Sequence, residues 1–331
     1  MKKIGYIQIS SGGSGGTVYI KKVLSAISSH FETEIINLES KYFKSWKILK
    51  ALQVFLSVFF FKGEKDLWIR NFYSSVIFNK RRTKGKNLAL IFHVDFSGFA
   101  WSLRPFLVFF EKVVFYGQLK KMDYIVTIAE YWKDHFLKRG YLNVEKIYCG
   151  FNLDDFNITE REVSDFKEKY KLSGKPIIYL GNCQKAKGAV ASYNMLKDLN
   201  AYFVTSGFRE ARIPAINFNL SHRDYLVLLR ASSVVLTMST FKEGWCITAH
   251  EAMLCRTPVI GSGLGGMREL LEGGKQIICT DFNQLKERVE FLLRSPEERK
   301  VMGDNGYNFA KDFTQERFDK SWIDLTKKVL K

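Results

Sequence analysis

Short apolar runs alternate with longer amphipathic segments along almost the whole chain, and this alternation restricts the fold more than any other property of the sequence. Strand-like runs fall at 4–9, 33–36, 88–93, 124–128 and 146–149. After a polar stretch at 152–175 they resume at 177–180, 202–205, 215–218, 234–236, 258–260 and 276–279. Helical patterns such as 17–29 and 131–139 lie between them, and three more helical stretches fill 282–331. Each parallel pair of strands needs a helix-sized crossover, so the pattern predicts α/β units with parallel sheets covered on both faces. With 331 residues the chain has room for two doubly wound, Rossmann-like domains. The expected division is 1–158 and 159–312, with a closing helix at 313–331.

Five scattered cysteines, an odd number without a Cys-x-x-Cys pair, argue against a disulfide framework or a zinc site and suit a reducing cytoplasm. The N-terminus enters a strand-like run rather than a signal peptide. The longest greasy run, 51–61, is about half of what a bilayer-spanning helix needs. The formal charge of +17 is concentrated: residues 41–86, which begin at Lys41 and end at Lys86, carry 12 basic and 2 acidic side chains together with eleven aromatics. Such a stretch suits an anionic partner. A peripheral, anionic membrane surface and a plain solvated face over core aromatics are the two readings carried forward. No nucleic-acid-binding motif accompanies the charge, so nucleic acid is not expected.

In open α/β sheets ligands bind just beyond the carboxyl ends of the strands. The first strand is followed there by Ser10-Ser11-Gly12-Gly13-Ser14-Gly15-Gly16-Thr17. Glycines at this place let backbone amides approach an anion, although a flexible turn has the same composition. The glycine spacing and the missing acidic residue after the second strand disfavour a nicotinamide or flavin cofactor. A second candidate is Glu243-Gly244-Trp245-Cys246-Ile247-Thr248-Ala249-His250-Glu251. Glu243 falls in a loop after a strand and Glu251 about two turns into a helix, so both can point toward a ligand. The amides between them form a helix N-terminus suited to phosphate or sugar hydroxyls. Paired carboxylates accept hydrogen bonds from vicinal hydroxyls; two glutamates on a solvated helix remain the plain alternative.

This segment resembles the Glu-x7-Glu motif of retaining family 4 glycosyltransferases of GT-B fold, in which two Rossmann-like domains face a central cleft. Ala252-Met253, Thr257-Pro258-Val259-Ile260 and Gly265-Gly266-Met267-Arg268-Glu269 continue the likeness, as do Gly181 with Lys187-Gly188, Thr205-Ser206-Gly207, Ser239 and, in the first half, Gly15-Gly16, His93 and Cys149-Gly150-Phe151-Asn152. The resemblance implies an acceptor domain at 1–158, a nucleotide-sugar donor domain at 159–312 and a C-terminal helix at 313–331 that packs back on the first domain.

It also implies roles for individual residues. Glu251 would hold the ribose of the donor and Glu243 the transferred sugar, aided by the amides of Gly244, Trp245, Cys246 and Ile247. Lys187 would bind the diphosphate, with Asn182, Gly207, Gly15 and Gly16 lining the donor. His93 would stand beside donor sugar and acceptor, and Asp95 near the acceptor. The implied function is a sugar transfer from a UDP- or GDP-sugar to a hydroxyl of a glycan or lipid-linked acceptor in polysaccharide or glycolipid synthesis. No metal and no cofactor are expected, since Lys187 supplies positive charge and no convincing Asp-x-Asp handle occurs. A sugar-nucleotide epimerase or hydrolase of the same fold, and a non-catalytic basic binder, are the alternatives. The chain departs from the family at Asn182, where relatives place an arginine, at Cys246, where they place a glycine, and at Cys149 and Asn152 in the linker.

Overall fold

The computed structural model describes residues 1–9, 15–40, 47–94, 108 and 110–331. It divides into two compact units, 1–150 with 315–331 and 151–314. The boundary therefore falls at Gly150, earlier than the expected 158, and the return falls at Thr314 rather than 312.

In the first unit six parallel strands run in the order β2-β1-β3-β4-β5-β6. They are β1 (Lys3–Gln8), β2 (Glu32–Asn37), β3 (Gly63–Arg70), β4 (Thr83–Leu90), β5 (Tyr124–Thr127) and β6 (Val144–Lys146). β3 lies inside the basic stretch, where no strand was expected. Its second half carries the buried Leu67, Trp68 and Ile69, and its first half places Glu64, Lys65 and Asp66 near the amino edge of the sheet. Gly5 of β1 lies in register with Trp68, and a Cβ on Gly5 would come within 2.5 Å of the indole. The glycine is what lets this large ring lie flat against the neighbouring strand. One face is sealed by Val58 of the helix Lys47–Phe60, which clusters with Ile7, Ile9 and Trp68. The closing helix, Gln315–Leu330, packs on helix Gly15–Ser28: Trp322 Nε1 donates to Tyr19 Oη at 3.3 Å, and Tyr19 Oη donates to the Ile147 carbonyl at 2.8 Å.

The second unit repeats the plan with the order β12-β11-β10-β7-β8-β9, again all parallel. Its strands are β7 (Ile177–Asn182), β8 (Tyr202–Ser206), β9 (Ile216–Phe218), β10 (Val234–Thr237), β11 (Val259–Gly261) and β12 (Ile277–Ile278). Ile178, Leu180, Val234, Leu236 and Ile260 form its centre. The polar stretch before β7 is not merely a link but contains helix Glu160–Lys169. Thr159 and Glu162 cap it reciprocally, and Arg223 grips Glu162 Oε1 through Nε at 2.9 Å and Nη2 at 2.7 Å. Strand order reverses between β7 and β10, because β8 adds on one side of β7 and β10 and β11 on the other. A crevice at the carboxyl ends of those two strands is where such a sheet accommodates a ligand.

Candidate functional site

Lys187 and Glu243 follow the two strands that flank this switch point. After β7 the chain makes a single tight turn, Lys185–Lys187, and leaves it at Gly188 with φ +76°. A Cβ at Gly188 would stand 2.1 Å from the Met238 carbonyl oxygen, so glycine permits the turn to press against the segment leaving β10. Glu243 is fixed by its own backbone. Its N–H donates to the Leu264 carbonyl at 3.1 Å and its carbonyl accepts from Gly266 N–H at 2.9 Å. Gly265, at φ +69°, lets these strands of chain approach, for a Cβ there would meet Glu243 O at 2.5 Å.

The two anchored side chains meet. Lys187 Nζ donates to Glu243 Oε1 at 2.6 Å, and the Ser239 hydroxyl donates to the same oxygen. The Glu243 side chain is only 8% exposed. Burial alone pulls the Lys187 ammonium down, but the Glu243 carboxylate more than offsets it and holds the pKa above the ordinary 10.5. Lys187 is therefore a fixed cation at neutral pH, and its ammonium also lies 4.9 Å from the centre of the Phe241 ring.

Helix Ile247–Leu254 begins next to this pair and is almost wholly buried from Ala249 onward. Its N-cap, Cys246, adopts φ +67° and ψ 75°, the left-handed conformation that glycine takes most readily. Burial, reinforced by Glu243 and opposed by Lys187, pushes the Cys246 thiol up to about 12, which excludes a thiolate nucleophile at neutral pH. Trp245 Nε1 donates to His250 Nδ1 at 3.0 Å, and His250 Nε2 donates to the Ala310 carbonyl at 3.1 Å, with Phe151 stacked on the imidazole. His250 thus has a packing role and locks the helix start. Glu251, the next residue and little more than one turn into the helix rather than two, lies 3.6 Å from His222 Nε2.

Several hydroxyls at the site had no signature in the sequence. Burial first, and the Glu251 carboxylate second, raise the Tyr225 phenol. Tyr179 is likewise raised by burial, with Glu251 and Cys246 adding to it. Tyr179 Oη and Ser206 Oγ are 2.5 Å apart, and both lie 3.5 Å from Asn182 Oδ1. Asn182 thus belongs to a neutral hydrogen-bonding group at the ends of β7 and β8, beside Gly207, whose N–H donates to the Phe218 carbonyl at 2.9 Å. Aromatic and hydroxyl residues inside strands read as core until the sheet order is known.

The structure therefore gathers Lys187, Ser239, Glu243 and Cys246, with Glu251 and Asn182 tied to them through Tyr179, all in one unit. Gly15, Gly16 and His93 belong to the other. There Gly15 and Gly16 open the helix after β1, and His93 is exposed just beyond β4. Both strands end at the same edge of the parallel sheet. Gly12, Gly13, Asp95 and residues 41–46 lie outside the described residues. Among the described residues no three His, Cys, Asp or Glu side chains gather as metal ligands would.

Known proteins resemble this chain in sequence and in fold. Residues 216–309 match the family described as glycosyl transferases group 1, a segment that includes Glu243 and Glu251. The chain is similar to an uncharacterized glycosyltransferase, MJ1178, of Methanocaldococcus jannaschii, at 27% identity over 59% of this chain and 56% of the relative. A shorter stretch, 24% of this chain and 20% of the relative, is 39% identical to a trehalose synthase of Pyrococcus horikoshii. The chain thus spans about half the length of the first of these curated relatives, 56%, and a fifth of the second, 20%. Among solved structures, sucrose-phosphate synthase from Thermosynechococcus elongatus superposes with a TM-score of 0.79 at 16% identity, covering 99% of each chain. Anabaena HepE in complex with UDP and glucose gives 0.71 at 15% identity, covering 99% of this chain and 100% of that one. At such identities the likeness is one of fold: two parallel six-stranded sheets flanked by helices, the GT-B arrangement.

Proposed function

We propose that this chain is a GT-B glycosyltransferase that moves a sugar, with retention at the anomeric carbon, from a nucleoside-diphosphate sugar to a hydroxyl of a glycan or lipid-linked acceptor. The observation that carries the reading is the Lys187–Glu243 pair, 2.6 Å apart beside the N-terminus of helix Ile247–Leu254, with Glu251 on the same helix. Breaking the bond between the sugar and the diphosphate puts negative charge on the departing oxygen. A fixed ammonium and helix-terminal amides in a poorly hydrated site stabilise that charge as it develops. Glu243 accepts hydrogen bonds from the transferred sugar, and Glu251 from the ribose. In the retaining step the acceptor oxygen bonds to the anomeric carbon on the face the diphosphate leaves, and its proton passes to a departing phosphate oxygen. Lys187 supplies the charge without a divalent metal. Anabaena HepE binds UDP and UDP-glucose, which favours a uridine donor among the candidates.

Donor turnover with an acceptor, measured for wild type, Lys187→Ala and Glu251→Ala, tests the reading. Both variants should stay folded and lose about a hundredfold or more in rate, the scale of one lost charge-stabilising group. Chelation by EDTA should leave the wild-type rate unchanged, and the product anomer should match the donor. Wild-type rates in both variants would overturn the site assignment; full donor turnover without acceptor would favour a hydrolase or epimerase.

A further inference from the structure

The helix Lys47–Phe60 has two apolar faces where a surface helix of a water-soluble unit has one. Val54 and Val58 turn inward to the Ile7, Ile9 and Trp68 cluster. Leu52, Phe55, Leu56 and Phe59 recur at i, i+3, i+4 and i+7, so they form a second stripe, and with Phe60 they are 36–53% exposed. Phe55 and Phe59 stack with ring centres 5.9 Å apart, so the stripe is a continuous surface rather than scattered side chains. No acidic residue occurs anywhere in the helix.

The charges of the basic stretch separate into two sets around it. Lys65, Arg70, Lys84 and Lys86 are engaged within their own unit, by Glu34, by Asn87 and Thr83, by Glu64 and by the Val329 carbonyl. Lys50, Lys62, Lys80 and Arg81 are exposed and make no ion pair among the described residues. Lys50 sits on the apolar helix and Lys62 just past its end. The loop of Lys80 and Arg81 is joined to that end by Arg82, whose guanidinium lies 5.2 Å from the centre of the Phe60 ring. Unpaired cations border an exposed aromatic and aliphatic stripe. A bilayer interface matches that combination, since it offers anionic headgroups above and acyl chains below.

We propose that helix Lys47–Phe60 docks the first unit on an anionic lipid surface, lying in the plane of the interface with Leu52, Phe55, Leu56 and Phe59 in the acyl boundary and Lys50, Lys62, Lys80 and Arg81 at the headgroups. Fourteen residues span about 21 Å, too short for the roughly 30 Å of a hydrocarbon core, so the helix rests in the interface instead of crossing it. The assignment does not depend on the chemistry of the second unit, and its test uses no sugar donor. The full chain is sedimented with phosphatidylcholine vesicles carrying about a third phosphatidylglycerol, and with phosphatidylcholine alone. Binding should appear on the anionic vesicles and weaken with added salt. Each basic residue contributes about fivefold, so Lys80→Gln with Arg81→Gln should cost roughly 25-fold in affinity. Leu56→Ser with Phe59→Ser removes only exposed side chains and should abolish vesicle binding while leaving the melting temperature in place. Unchanged vesicle binding in both double variants overturns the proposal. So does a wild-type protein that ignores the vesicles but is dimeric in sedimentation and becomes monomeric on Leu56→Ser with Phe59→Ser, because the stripe would then face a second copy.

Discussion

Replacing Lys187 with methionine keeps most of the stem and deletes the ammonium, leaving the Glu243 carboxylate, 8% exposed, without that cation while the Ser239 hydroxyl still donates to it. Removing one partner of a buried ion pair costs about 3–5 kcal/mol. The remaining Ser239 hydrogen bond and the 29% exposure of the Lys187 side chain bring the expected loss to about 2–3 kcal/mol. For a unit of this size that is a fall in Tm of about 5–10 °C. Adding Glu243→Gln removes the stranded charge, so the double variant should recover about 2 kcal/mol relative to Lys187→Met alone. The raised Lys187 pKa sets the pH window. Stability that comes from a raised pKa is complete below the unfolded value of 10.5 and is lost as pH rises through the higher folded value. Urea titrations of wild type, both single variants and the double variant supply the cycle. The wild-type advantage over Lys187→Met should be flat between about pH 7 and 9 and shrink only above 10.5. A cycle that is additive within about 0.3 kcal/mol, or an advantage that fades below pH 9, would refute the claim that this contact is a desolvated ion pair.

Two backbone predictions test how the pair is held. Gly188→Ala must accept a left-handed backbone and a Cβ 2.1 Å from a carbonyl oxygen, so it should destabilise the second unit by more than about 3 kcal/mol; a wild-type melting temperature would show that the turn is not the anchor described. Cys246→Gly should be more stable than Cys246→Ala by about 1 kcal/mol in spite of its smaller side chain, because only glycine relieves φ +67°, and the reverse order in thermal melts would remove the strain argument.

What could be read from the sequence was local. All six strands of the second unit lie within a residue or two of their apolar runs, and the Glu243 to Glu251 segment is visible because loop and helix are contiguous. β3 was hidden because Glu64, Lys65, Asp66 and Arg70 break its apolar run. Their charges are met by Lys2, Glu34, Lys84 and the Asn87 and Thr83 side chains, all of which come from other strands or from the residue before β1. Helix Glu160–Lys169 did carry a signal, Thr159 three residues before Glu162, which the overall polarity of the stretch obscured. The hydroxyls of Tyr179 and Ser206 reach the site only through the pairing of β7 with β8, and that of Tyr225 only through the packing of helix His222–Ala231 near Thr248, and no periodicity within a segment encodes either.

That sheet order also bears on how an anion could be held. In the second unit Glu243 and Glu251 bring two buried carboxylates near the partly exposed ammonium of Lys187, which Glu243 already engages. Asn182, where relatives place an arginine, is committed to Tyr179 and Ser206 and adds no charge. Under the proposed function, a diphosphate at the switch point would draw on backbone amides as well as on Lys187. Helices Ala189–Leu196 and Ile247–Leu254 begin beside the Lys187–Glu243 pair, each entered through a left-handed residue, Gly188 and Cys246. Neither N-cap contributes a side-chain hydrogen bond to its helix, so the first-turn amides are not closed off by a capping side chain. Under the proposed function, the turns at Gly188 and Cys246 thus do more than position Lys187 and Glu243: the two helix N-termini they open would supply amides to the negative charge of the leaving group.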